Sequence, residues 1–244
     1  MAGLMDGKTA LVFGVANHRS VAWAIAQALA GAGARLAFAY QERVERYVRE
    51  LADTLTGSVL ERCDVSNDDD IDRVFASVES ELGGLDVLIH SLAYAERSDI
   101  DGRFVDTSRD GWRVALEVSA YSLAALARRA EPLMESGERV VPNYNVMGVA
   151  KAALDCCVRY LAADLGPKNI RVNAISAGPM RTLAARAIAD FSTMERHVEE
   201  RSPLRRNIEQ REVGDAALFL CSPLGRAITG EVLHVDSGYH VMGM

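Results

Sequence analysis

The chain has 244 residues, 49% of them hydrophobic and 25% charged, with a formal net charge of −7 and a pI near 5.3. This balance is ordinary for a soluble globular protein and argues against a nucleic-acid or anionic-membrane partner. No apolar run approaches the ~20 residues of a spanning helix, and the opening "MAGLMDGK" has no charged region leading into an apolar one, so neither a membrane span nor a signal peptide is expected.

In chain order, Lys8 to Phe13, "KTALVF", is an apolar run ending at Gly14 and reads as a buried strand. "SVAWAIAQALAGAGA" has helical spacing and a glycine stop. "RLAFAY" is a second strand, "ERVERYVRELADTL" a charged amphipathic helix, and "SVLERCDV" a third strand ending at Asp64. "SNDDDIDRVFASVESELG" opens with Ser66 as the expected N-cap and acidic residues in its first turn. "LDVLIHSLAYA" is a fourth strand, and one long helix is expected around Trp112 to Met134. After it come a helix from about Tyr144 to Leu165, a strand in "IRVNAISAG", a helical lid over about 183–206, a helix in "EQREVGDAALFLCS" and a last strand in "GEVLHVDSG". Alternating strands and helices predict an α/β fold: a Rossmann-type, doubly wound parallel sheet with helices on both faces. No repeat or linker interrupts it, so 1–244 reads as one domain.

Cys63, Cys156, Cys157 and Cys221 form no C-x-x-C pair, and the five histidines are scattered. Neither a disulfide framework nor a metal site is expected, and a reduced cytoplasmic compartment is.

After the first strand the chain reads "GVANHRSVAWAIA". A glycine-cornered turn into a helix N-terminus suits a pyrophosphate, because backbone N–H groups and the helix dipole both face it. The G-x-G-x-x-G pattern is absent, however, and Ser20 read alone is a helix cap rather than a phosphate ligand. At the end of the second strand, "AYQER", neutral Gln41 points to NAD, while nearby Arg43 suits a 2′-phosphate. Asp64 read alone is a turn or cap residue. Tyr144 and Lys151, seven apart, share one helix face. A lysine there stabilises the phenolate and lowers the tyrosine pKa from its usual ~10, fitting the tyrosine as an acid or oxyanion donor.

Taken together, "GVANHRSVAWAIA", "LAFAYQ", "HSLAYA", "PNYNVMGVAKAALD", "LAADLGPKNIRVNAISAGPMRTLAA", "EVGDAALFLCS" and "TGEVLHVDSGYH" resemble the short-chain dehydrogenase/reductases. More narrowly, they resemble the bacterial NADH-dependent enoyl-acyl-carrier-protein reductases. The resemblance implies that Gly14, Ser20 and Val21 hold the pyrophosphate and nearby ribose. Gln41 would sit by the adenosine, Asp64 and Val65 would flank the adenine, and Leu92 would pack near the cofactor. Lys151 would bind the nicotinamide ribose, with Met180, Thr182, Leu183 and Ala184 lining the nicotinamide and phosphates. Ala95 and Tyr144 would face the acyl substrate. NADH, rather than NADP, would then reduce a trans-2-enoyl thioester carried on acyl carrier protein, in fatty acid biosynthesis and in a homotetramer.

One segment departs from that pattern. Between the helix ending near Met134 and Tyr144 the chain has only "ESGERVVPN", too short for a central strand of about five or six residues and its loop. A second tyrosine that the family pattern carries there is also absent. Either residues are missing from the sequence as given or the deletion is real. A ketone or ketoacyl reductase, or a non-catalytic dinucleotide-binding relative, are the alternative readings.

Overall fold

The computed structural model describes residues 3–100, 107–134, 146–182 and 191–242, with backbone alone for 146–149. β1 (Thr9–Phe13), β2 (Arg35–Tyr40), β3 (Val59–Arg62) and β4 (Val87–His90) form a parallel sheet in the order β3-β2-β1-β4. β5 (Ala174–Ala177) and β6 (Val232–Val235) form a second parallel pair. Every residue of β1 is buried. Because successive side chains alternate across a strand, Leu11 and Phe13 point into one core and Ala10 and Val12 into another.

The helices sort onto these two faces. α1 (Val21–Gly31) and α9 (Gln210–Cys221) pack on the face of Val12, while α3 (Asp68–Leu82), α6 (Ser122–Ala130) and α7 (Val146–Leu165) pack on the face of Phe13. β5 places Ala174 in one core and Ile175 in the other, so it extends the same layer. The expected doubly wound α/β architecture is therefore present. Among the described residues, β4 pairs with β1 and β5 with β6, and no described strand lies between β4 and β5.

Several elements differ from the sequence expectation. The strands after β2 are shorter than their apolar runs. Cys63 and Val65 follow β3, and Ile170 and Val172 precede β5, off the ladder yet buried. The N-cap of α3 is Asn67, whose side chain accepts from the backbone N–H of Asp69 and Asp70. Ser66 instead donates to Asp64 Oδ1 at 2.7 Å. The single helix expected around Trp112 to Met134 begins earlier, as α5 (Arg109–Leu116) capped by Ser108. A π turn over Glu117–Tyr121 joins it to α6, and a 3-10 turn carrying Pro132 ends it. Short α2 (Glu45–Ala52) lies beyond β2, and α4 (Arg97–Ile100) is too brief to leave a periodic signal. Within the expected lid, α8 spans Phe191–Arg201, and residues 183–190 lie outside the described set.

Leu88 in β4 is fully buried in the Phe13 core. Leu88→Ala is expected to cost about 2–5 kcal/mol, read as a lower urea midpoint. A loss under about 1 kcal/mol would contradict close packing on that face.

Candidate active site

The parallel strands end at one edge, where Gly14, Gln41, Asp64 and Ser91 follow closely on β1, β2, β3 and β4. Ligands of open α/β sheets sit outside this carboxyl edge. Gly14 has φ +99°, and a Cβ there would overlap the carbonyl oxygen of Ser91. Glycine is required both for the left-handed backbone and for that close approach. The chain then turns into α1, whose N-terminus has no side-chain cap and no acidic residue in its first turn. By contrast, α3 is capped by Asn67 and preceded into its first turn by three aspartates, and α9 carries a Glu209–Glu212 capping box. Those two ends are already neutralised, whereas α1 presents its N–H groups and positive dipole end to an anion. Ser20 is the N-cap residue of α1, but its side chain does not cap the helix. Its Oγ turns back and accepts from the N–H groups of Ala16 (2.9 Å) and Asn17 (3.1 Å), which fixes the turn. Val21 follows it, at the buried start of α1.

On the β2–β3 side, Gln41 is exposed just past buried Tyr40. Glu42 and Glu45 are drawn to Arg62, and Glu45 also to Arg49. Arg43 is exposed and takes no part in these pairs. Asp64 Oδ1 accepts from Ser66 N (3.0 Å), making a turn as its residue type suggested. Val65 is buried in the core.

Lys151 lies on α7 and is 2% exposed. Its Nζ donates to the carbonyl of Leu92 at 3.2 Å. Burial lowers its pKa from the usual 10.5 to about 7, against a smaller opposing pull from Asp155. Asp155 is itself raised by burial. Lys151 therefore sits near the balance between ammonium and amine at neutral pH. Its sequence partner Tyr144 lies outside the described residues, as do Leu183 and Ala184.

The segment after β4 holds features that sequence reasoning missed. His90 is fully buried with Nε2 2.7 Å from Ser122 Oγ. The Ser122 hydroxyl proton goes to Val118 O (2.7 Å), so the imidazole Nε2–H is the donor. Ser119 Oγ accepts from Tyr94 N (3.0 Å) and donates to Tyr94 O (3.1 Å). In "EVSAYS" nothing marks a π turn, and two serines three apart read as ordinary helix positions.

Beyond β5, Met180 is buried and Thr182 half-buried, with Thr182 N donating to Met180 O at 2.8 Å. Met180 lines a cavity of about 270 Å³ with Arg19 from the α1 turn, Arg181, and Glu195 of α8. Arg181 Nε contacts both Glu195 oxygens at 2.9–3.0 Å, and Asn207 Nδ2 donates to Glu195 O at 3.1 Å. These contacts tie α8 to the post-β5 loop, a link the sequence did not reveal.

A protein-family model described as "Enoyl-(Acyl carrier protein) reductase" matches residues 14–240. The chain belongs to the enoyl-acyl-carrier-protein reductase family. It is 54% identical to the NADH enoyl-acyl-carrier-protein reductase of Bacillus cereus, over 98% of this chain and 99% of that one. The corresponding Aquifex aeolicus protein is 47% identical over 99% and 94%. Among solved structures, the Bacillus cereus reductase with NADP+ and an indole naphthyridinone superposes with a TM-score of 0.96 at 52% identity, covering 99% of this chain and 100% of that one. The Anaplasma phagocytophilum reductase in complex with NAD gives 0.95 at 44%, covering 100% and 98%. The Bacillus cereus alignment runs to 254 positions against 244 residues here, so that member has at least ten residues with no counterpart in this chain.

The Lys151 shift makes stability depend on pH. The unfolded chain keeps this proton up to about 10.5, the folded chain only to about 7. Between those values the unfolded state binds more protons, so stability rises with pH. Below pH 7 both states are protonated and the burial penalty is full. The urea midpoint is expected to climb from pH 7 to 9, by at most ~1.4 kcal/mol per pH unit from this group. Lys151→Met should remove the climb and be the more stable form at pH 7. Parallel profiles for the two proteins would contradict this.

Proposed function

We infer that this chain catalyses NADH-dependent reduction of a trans-2-enoyl thioester on acyl carrier protein, a step of fatty acid biosynthesis. The observation that carries this reading is full-length membership of the reductase family, with relatives named as NADH enzymes. The donor set fits the cofactor: an uncapped α1 N-terminus beside Gly14, and a buried lysine at the sheet edge. In this reading Gly14, Ser20 and Val21 hold the pyrophosphate and nearby ribose. Gln41, Asp64 and Val65 border the adenosine. Lys151 donates to the nicotinamide ribose, and Leu92, Met180, Thr182, Leu183 and Ala184 line the nicotinamide end.

Bound NADH supplies the hydride that goes to the β-carbon of the enoyl thioester. Negative charge then develops on the thioester oxygen, and Tyr144 donates a hydrogen bond to it, the kind of positioned donor that contributes most to catalysis; a proton from solvent at the α-carbon completes the reduction. The protonated form of Lys151 favours that polarisation. Ala95 and Tyr144 border the acyl chain, and the lid over 183–206 closes the site against water. We place the protein in the cytoplasm as one domain over 1–244 that works as a homotetramer. Tyr160 on α7 and Tyr121 at the end of the π turn are 71% and 53% exposed, and covering by another copy accounts for such aromatic surface. No described helix is long and apolar enough to cross a membrane.

The test is NADH oxidation with crotonyl and acetoacetyl thioesters. Turnover of crotonyl alone is expected, and Tyr144→Phe should lower kcat by about 10²–10³. Preference for acetoacetyl would make it a ketoacyl reductase. NADH binding without turnover would favour the non-catalytic dinucleotide-binding relative suggested by the short segment before Tyr144.

A further inference from the structure

We propose that Ser119 is a positioning residue for this site, setting the height of Leu92 and Ala95 by holding the backbone of Tyr94 between them. The proposal rests on the reductase reading above, since it concerns the segment that borders cofactor and substrate there.

β4 leaves its ladder at His90, and Ser91 N still donates to Phe13 O at 3.2 Å. Beyond that point no described strand pairs with the chain, and its partly buried peptide groups need partners. Ser119 serves both polar groups of Tyr94, accepting from its N–H and donating to its C=O. Such pairing does what a neighbouring strand residue does in a ladder. Ser119 is itself fully buried, so water does not compete.

The π turn accounts for its reach. An extra residue in the turn widens the helix, and such bulges concentrate at functional sites. Here the bulge over Glu117–Tyr121 buries Ser119 and Ala120 on the side facing the post-β4 segment. The next helical residue, Ser122, anchors His90. Lys151 anchors Leu92 from α7. His90, Leu92 and Tyr94 are thus held from one side, while Gly14 lies against Ser91 from the other. Removing the Ser119 hydroxyl takes away the anchor nearest Ala95 and leaves the other two in place.

The test compares Ser119→Ala with Ser108→Ala. The latter removes the N-cap of α5, in the same helical stretch, and does not touch Tyr94. In Ser119→Ala, exchange of the Tyr94 amide should quicken by about tenfold or more, and KM for crotonyl thioester should rise about fivefold with kcat within about twofold. Ser108→Ala should lower Tm and leave both readings unchanged. Unchanged Tyr94 exchange in Ser119→Ala would overturn the proposal. So would equal shifts in both variants, or faster exchange with no change in KM. If the unsubstituted chain binds NADH without turnover, the reductase reading fails on its own, and the dissociation constant for crotonyl thioester replaces KM in judging Ser119.

Discussion

Where β4 ends, a chain that has left its ladder must find new partners for its peptide groups, and the candidate site is assembled by the residues that provide them. Lys151 donates to Leu92 O and Ser119 pairs with both peptide groups of Tyr94, while Ser122 holds the His90 imidazole at the end of β4. Each partner lies on a helix packed against the Phe13 face of the sheet. The fold therefore does more than carry the segment to the edge. Core packing of α6 and α7 fixes where the donors stand, and the donors fix the segment. Gly14 completes the enclosure, because only a residue without a Cβ lets the α1 turn lie against Ser91.

Lys151 connects this architecture to chemistry. A cation that is 2% exposed is costly to hold, and its pKa falls to about 7 as a result. Lys151 would itself gain stability at neutral pH from replacement by an apolar side chain of similar shape, so it does not serve stability. A buried lysine at the carboxyl edge, beside an uncapped helix N-terminus, is better explained as a group whose charge is satisfied by a bound partner. The arrangement is stable enough to persist and unfavourable enough to favour binding.

Much of this was legible in the sequence. Strong periodicity located β1, β2, α1, α3 and α9 to within a few residues, since both faces of a doubly wound sheet select apolar runs. The Gly14 turn and Lys151 were singled out for a different reason, their residue types and spacing, and the structure places Gly14 against Ser91 and buries Lys151 against Leu92 O. What escaped has a physical reason too. Ser66 and Asn67 are both good caps, and only the local geometry chooses Asn67. Ser20 occupies a capping position yet turns its hydroxyl to Ala16 and Asn17. The π turn, the Ser119–Tyr94 pair and the Arg181–Glu195 clasp are products of tertiary packing, and no local pattern encodes them. The short segment before Tyr144 was visible as a missing strand's worth of residues. The alignment with the Bacillus cereus relative is longer than this chain by a comparable number of positions.

The central claim is that one edge of this sheet is a dinucleotide site with Lys151 at its nicotinamide end. A crystal structure of the chain with NAD bound tests it most directly. The account predicts adenosine between Gln41 and Asp64, pyrophosphate at the N-terminus of α1, and a nicotinamide-ribose hydroxyl within hydrogen-bond distance of Lys151 Nζ. A dinucleotide bound elsewhere, or one that leaves Lys151 in contact with Leu92 alone, would contradict it.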